Sequence, residues 1–270
     1  MKVRLVASDL DGTLLDPDGR LSPRTIAALQ SAAAADITVI AATGRSFRTA
    51  GHRLRPAGVL RTMVCSNGAL VYDLRDDRID RMHTIAGDTL RHLFAALRAA
   101  HPQLRFGWET RGGFGVEADF GRKPGDSEHD SSLIGGPQHV DQVDEAIKAF
   151  IAHPEVEQVA LQRLIAPQLP AGLNGATSGA RFVEVTAAGI DKGATVAALA
   201  AEWGVDQSEV VAIGDQMNDE SMLRWAGTSV AMGNARPELK EFADVVAPPV
   251  SESGAAWAIE RLAAGEGLKS

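Results

Sequence analysis

The sequence predicts an α/β fold: a mostly parallel sheet interrupted by an inserted α+β module. Short β-rich runs alternate with longer helical ones, and several of those runs end in turns bearing Asp, Asn or Gly. Between about 80 and 186 the pattern changes. The chain has 270 residues, room for one large domain or two ordinary ones at about 150 residues each. Its 45% hydrophobic and 23% charged residues suit a chain with a buried core and exclude a disordered or collagen-like one.

The elements follow in order. VRLVAS at 3–8 is a compact apolar run, as in a strand buried on both faces. Ser22-Pro23 reads as an N-cap and first helical position, opening an alanine-rich helix that lasts to about Ala35. ITVIAA at 37–42 precedes Thr43-Gly44-Arg45, and RTMVCS at 61–66 precedes Asn67-Gly68. Near the other end, VVAIG at 210–214 precedes Asp215, and TSVAM at 228–232 precedes Gly233-Asn234. In the intervening module we expect a helix near 88–100 and then two strands, LRFGWE and GFGVEA, joined at Thr110-Arg111-Gly112. A polar loop at 121–137, a helix near 140–152 and strands near 156–163 and 180–186 complete it. The expected domains are therefore a discontinuous one, 1–79 with 187–270, and an inserted one, 80–186.

Composition narrows the function. Lys plus Arg number 27 against 35 Asp plus Glu, a net charge of −8, the opposite of a nucleic-acid binder's balance. No apolar run approaches the roughly 18 residues of a membrane span. The opening MKVRLVASDLDGT lacks the apolar core of a signal peptide, so a cytoplasmic location is expected. Cys65, the sole cysteine, excludes an intrachain disulfide and sits in an apolar run as a small hydrophobe. Gly113-Phe114-Gly115 imitates a dinucleotide fingerprint but lies within a strand-like run, with no strand–helix frame. The histidines show no metal-ligand spacing, and only His129 and His139, near the long loop, merit testing as ligands.

Chemistry gathers at the strand ends, which in a parallel sheet share the ligand-binding edge. Asp9-Leu10-Asp11-Gly12-Thr13 places two carboxylates on alternate positions leaving a strand, where a hard cation such as Mg²⁺ would neutralise them. Thr43-Gly44-Arg45 offers a hydroxyl and backbone N–H groups to a phosphate oxygen, although a simple capped turn accounts for it equally well. Lys192, opening a helix after Asp191, could reach a phosphate as a point charge or face solvent. Gly214-Asp215-Gln216-Met217-Asn218-Asp219 crowds two carboxylates and an amide at a helix start, more than capping needs, so metal binding is the stronger reading.

The ordered set DLDGT at 9–13, Thr43, Lys192 and GDQMND at 214–219 resembles the haloacid dehalogenase (HAD) superfamily of phosphohydrolases. SNGALVYD at 66–73, DKG at 191–193, NDESML at 218–223 and VAMGNA at 230–235 look like its Cof-like, type IIB branch. The tail SESGAAW at 251–257 departs from the acidic-Gly-Val stretch common in that branch, without touching a catalytic position. The resemblance implies a HAD-like Rossmannoid core and an inserted α+β cap that sets substrate specificity, here a minimal αββαββ version. It implies Asp9 as nucleophile and Asp11 as general acid and then base. It implies Mg²⁺ on Asp9, the Asp11 carbonyl and Asp215, with Asp219 a direct or indirect partner. Thr43, Gly44 and Lys192 would hold phosphoryl oxygens, and Asn218 would touch phosphate or orient Lys192. Asn67 and Arg45 stand at the site's edge. Trp108, Glu109, Arg111, Arg122, Lys123 and His129 are candidates for the rest of the substrate. Hinges would fall near Asp76–Asp80 and Thr186–Gly189.

The expected activity is a Mg²⁺-dependent phosphatase acting on a small phosphorylated metabolite, a sugar phosphate being the expected class. The alternatives are a HAD-type phosphotransferase or phosphomutase, or a non-catalytic protein that binds a phosphate ligand.

Overall fold

The structure is a computed structural model, and it describes residues 2–117, 120 and 139–268. The chain enters through β1 (Leu5–Ser8), every residue of which is buried, as a doubly covered strand requires. Helix α1 (Pro23–Ala34) starts as its sequence dictates: the Ser22 side chain accepts a hydrogen bond from the Thr25 backbone N–H, and proline occupies the first turn. Next come β2 (Thr38–Ala42), α2 (Phe47–Leu54), β3 (Thr62–Cys65), β4 (Leu70–Asp73) and β5 (Arg78–Met82).

The chain then builds a second unit. It holds β6 (Ile85–Ala86), α3 (Gly87–Ala100), β7 (Arg105–Thr110), β8 (Gly113–Val116), β9 (Glu145–Ala146), β10 (Lys148–Ala152), α4 (Gln158–Ile165), β11 (Leu173–Ala176) and β12 (Val183–Ala187). It returns through α5 (Lys192–Glu202), β13 (Val210–Gly214), α6 (Glu220–Trp225), β14 (Thr228–Ala231), α7 (Pro237–Lys240), β15 (Val245–Val246) and α8 (Gly254–Ala263). Compactness divides the chain into Met1–Arg81 with Asp191–Ser270, and Met82–Ile190. No helix among the described residues is long and apolar enough to cross a membrane.

The first unit is built on an eight-stranded sheet in the order β15-β14-β13-β1-β2-β3-β4-β5. Pairings from β15 across to β3 are parallel, and β4 turns back antiparallel on β3. Four neighbouring parallel strands, β13, β1, β2 and β3, therefore end at one edge.

The second unit has a five-stranded sheet, β11-β12-β10-β7-β8, whose pairings are antiparallel. Leu90, Leu93, Phe94 and Leu97 of α3 and Leu161 and Ile165 of α4 pack with Phe106, Trp108, Ala149, Ile151, Val183 and Val185 from the sheet. Phe150 and Ala152 join Phe120, with Phe114, Val116 and Phe182, in a separate cluster.

Here two sequence expectations fail. The run expected to be helical over 140–152 contains β10, and the run expected to be a strand over 156–163 overlaps α4. β10 is the middle strand of its sheet and buried along its length, so its alternation of apolar and polar residues is lost. Pairing on both edges then outweighs the helical leaning of its alanines. In α4 the buried pair Leu161 and Ile165 has the i, i+4 spacing of a helix face, and Glu157 caps the first turn by accepting from Val159 N. The module therefore runs αββ, a central strand, then αββ, with β11 where no strand was expected.

Candidate active site

The site is assembled from adjacent strand exits. Asp9 follows β1 and is 5% exposed; Thr43 follows β2 and Asp215 follows β13, both buried. Lys192, the first residue of α5, is fully buried. Its ammonium donates to Asp9 Oδ1 at 2.6 Å and to Asp219 Oδ1 at 2.6 Å, joining residues 183 and 27 positions away. Asp219 Oδ2 accepts from the backbone N–H groups of Asp215 and Gln216, each at 2.9 Å. Both Asp219 oxygens are thus used within the protein, and that carboxylate fixes the turn after β13. Asp215 accepts from Thr13 Oγ1 at 3.2 Å on Oδ1, and from the Gln216 and Asn234 amides at 3.1 and 3.4 Å on Oδ2.

Glycine is required at the closest approach of the two acidic turns. Gly12 has φ +79°, and a Cβ there would stand 2.5 Å from Asp215 Oδ2. Beyond β3, Ser66, Asn67 and Gly68 all adopt positive φ, at 51°, 57° and 98°. For the first two this is an uncommon conformation, costing about 1–2 kcal/mol per residue. It carries Asn67 Oδ1 to 3.0 Å from the donating Asn218 amide and brings the Gly68 carbonyl to the Thr195 hydroxyl at 2.9 Å.

One carboxylate of the predicted set stands apart. Asp11, on the exposed side of the turn, takes the Arg45 guanidinium in a two-point contact, Nε to Oδ2 at 2.6 Å and Nη2 to Oδ1 at 2.7 Å. Thr43 Oγ1 accepts from Arg45 N at 3.0 Å, which fixes the β2 exit. Gly44 is half-buried beside it. Asn218 pairs with Asn67 and makes no hydrogen bond to Lys192 among the described residues, which removes the expected orienting contact.

The electrostatics are dominated by carboxylates out of water. Burial pushes Asp9 well above the usual carboxylate range; Lys192 pulls it back, while Asp219 and Asp215 push it further up. Burial and then Asp219 raise Asp215 to about 6. Lys192 stays above the ordinary lysine value, since Asp219 and Asp9 outweigh the burial that would lower it. Asp9, Asp215 and Asp219 each offer an oxygen within 4.8 Å of the others'. Three carboxylates against one ammonium leave two negative charges uncompensated in a buried cluster, which a divalent hard cation fits in charge and in donor type.

Other expected site residues lie elsewhere. Trp108 is 2% exposed within the second unit's hydrophobic cluster, with its ring 6.3 Å from that of Phe94, which removes it from the candidates for substrate contact. Glu109 is buried in β7, and Arg111 is exposed in the turn between β7 and β8. Arg122, Lys123 and His129 lie outside the described residues, and His139 is exposed. Sequence reasoning missed the part of Asn234, whose amide donates to the Gly12 carbonyl at 2.9 Å while its oxygen accepts from Val250 N at 2.7 Å. The only signal was a Gly-Asn turn after a strand.

Comparison with known proteins agrees with this architecture. The model of the haloacid dehalogenase-like hydrolases matches residues 6–259. The HMP-PP phosphatase of Serratia proteamaculans (strain 568) is 31% identical over 248 residues, covering 88% of this chain and 87% of that protein. Among solved structures, the phosphatase BT1666 from Bacteroides thetaiotaomicron superposes with a TM-score of 0.78 at 24% identity, covering 97% of this chain and 95% of that one. The HAD subclass IIB sugar phosphatase BT4131 gives 0.78 at 22% identity, covering 96% and 98%. These two carry the fold. The family match spans the carboxylate turns at both ends of the chain, and on that ground the chain belongs to the haloacid dehalogenase-like hydrolases and is a phosphatase of that superfamily.

Proposed function

We propose that the chain is a Mg²⁺-dependent phosphatase of a small phosphorylated metabolite, acting through an aspartyl-phosphate on Asp9. The observation that carries this reading is the buried Asp9–Lys192–Asp219 chain beside Asp215. Asp9 Oδ1 is oriented by Lys192, and Oδ2 makes no hydrogen bond among the described residues, so the second oxygen is the one to attack phosphorus in line. As the Asp9–phosphorus bond forms and the ester bond breaks, Asp11 delivers its proton to the leaving oxygen. It then takes a proton from the water that attacks the same phosphorus, restoring Asp9 and releasing inorganic phosphate.

Asp9 and Asp215 would hold the cation with the Asp11 carbonyl, and Asp219, its oxygens already used, would act by fixing Asp215 and Lys192. When bound, the cation supplies charge neutralisation at the phosphoryl oxygens and keeps the Asp9 carboxylate ionised. Thr43 and the Gly44 backbone would hold phosphoryl oxygens at the β2 exit, with Asn218 facing them from the α6 side. The unit spanning 82–190 would act as the cap that reads the rest of the substrate.

A sugar phosphate is the proposed substrate class, supported by the fold shared with a sugar phosphatase. The HMP-PP named for the Serratia relative belongs on the same panel. The test is phosphate release from sugar phosphates, HMP-PP, nucleotides, pyridoxal phosphate and flavin mononucleotide, with Mg²⁺ and with EDTA. We expect Mg²⁺-dependent release, fastest on a sugar phosphate. An isomerised sugar phosphate with no free phosphate would make the chain a mutase. Phosphate binding without turnover of any ester would make it a sensor.

A further inference from the structure

Arg45 is anchored by its backbone, while its side chain reaches across to Asp11. Its N–H donates to Thr43 Oγ1, and its carbonyl accepts from Ser66 N at 2.9 Å, tying it to the strained turn after β3. The guanidinium meets Asp11, 34 residues away, through two parallel hydrogen bonds. That fork matches two oxygens of a carboxylate and equally two of a phosphoryl group. The pair is solvated, with the two side chains 33% and 48% exposed, so its net strength is modest and a dianion can displace it. Each Asp11 oxygen takes one hydrogen bond from Arg45, so the pairing leaves Asp11 open to solvent but holds its carboxylate in one orientation, turned to the guanidinium.

We propose that Arg45 is a positioning residue that exchanges partners: its guanidinium holds the Asp11 carboxylate, then moves to the substrate's phosphoryl oxygens and so releases Asp11 to act. Arrival of a phosphate monoester and presentation of Asp11 become one event, and Asp11 and phosphate compete for one fork. The inference rests on the phosphatase reading above.

The experiment is a double-mutant cycle on inorganic phosphate binding, measured by calorimetry in the presence of Mg²⁺ on the full chain. The forms are wild type, Asp11→Asn, Arg45→Ala and the double variant. Asp11→Asn removes the competitor, and phosphate should bind about tenfold tighter, the effect of a single hydrogen-bonded charge contact. In the Arg45→Ala background the same change should gain less than about twofold. An equal gain in both backgrounds would mean that Asp11 merely repels phosphate, and would overturn the proposal. In turnover, Arg45→Ala should raise KM by a larger factor than it lowers kcat, and Arg45→Lys should restore part of the KM. A residue that only held Asp11 in place would lower kcat with KM unchanged, the opposite result. Should inorganic phosphate bind to none of the four forms, the phosphoryl site proposed at the β2 exit fails, and this inference with it. Binding without coupling defeats the inference alone.

Discussion

Each unit of the molecule buries a lysine against carboxylates, and the two arrangements differ in what surrounds them. In the first unit Lys192 reaches Asp9 and Asp219 from a helix start, across three chain segments, with Asp215 close by. In the second, Lys148 lies within β10 and meets Glu184 of the adjacent β12 at 2.5 Å, with Glu109 opposite it in β7 and the Phe150 ring 5.0 Å away. The Lys148 pair joins neighbouring strands of one sheet and leans on an aromatic ring. The Lys192 network sits where strands end and chain turns converge, and it carries an excess of negative charge. Burial of a lysine among carboxylates is therefore not the mark of a site; three carboxylates converging on one lysine where parallel strands end is.

The largest expected effect tests the role given to Asp9. Asp9→Asn should lower phosphate release by about 10⁴-fold or more while leaving the circular dichroism spectrum and thermal transition near wild type. Turnover that survives in the purified variant would falsify the nucleophile assignment.

Next come the two lysines, which should separate activity from stability. Lys148→Met strands Glu184 in the interior and should cost about 3–5 kcal/mol in urea denaturation. Adding Glu184→Leu should recover part of that loss, since apolar residues can replace a structural pair. Lys192→Met should abolish turnover, and adding Asp219→Leu should recover none of it. Activity regained in that second double variant would erase the distinction between the two networks.

A smaller effect follows from Asp215, raised to about 6 from 3.8 by burial and by Asp219. The folded state binds this proton more tightly than the unfolded chain, so its stabilisation is full below about pH 4 and is lost as pH rises through about 6. A divalent cation competes with that proton for the same carboxylate. The rise in Tm given by Mg²⁺ over EDTA should therefore be largest above pH 6 and shrink as pH falls to 5. In Asp215→Asn the Mg²⁺-dependent rise should be small and flat with pH. A rise that is independent of pH in the wild type would remove Asp215 from the cation's partners.

How far the sequence could be read follows the same division. The strands of the first unit end in short turns whose residues act locally, as in the Gly12 turn and the Ser22 cap, so β1, β2, β3 and β13 were legible to within a residue or two. What was not legible there is pairing between distant segments, such as Arg45 with Asp11 or Asn234 with Gly12, 222 positions apart. A side chain's choice among several acids in one cluster depends on the closed fold. In the second unit α3, β7, β8 and β12 were legible as well, but over 140–163 the element types were exchanged, because a central strand loses its alternation and a short helix with one buried stripe can imitate a strand. Local propensity carries little there, and burial on both sides of β10 decides.

The smallest expected effect bears on that exchange. Glu157 is an unusual N-cap: its long side chain reaches back to the Val159 N–H at 3.2 Å, where Ser, Thr, Asp or Asn is the common solution. Holding a glutamate in that geometry costs more rotamer freedom than holding a serine, which weakens the start signal of α4 in the sequence and its stability in the fold. Glu157→Ser should raise stability by about 0.5 kcal/mol, and Glu157→Ala should lower it by about the same amount. Both shifts would be read from urea midpoints at constant slope. If neither variant moves the midpoint, α4 is held by the burial of Leu161 and Ile165 alone. Its identity as a helix would then be set by the sheet it packs on, and no signal at its N-terminus could have disclosed it.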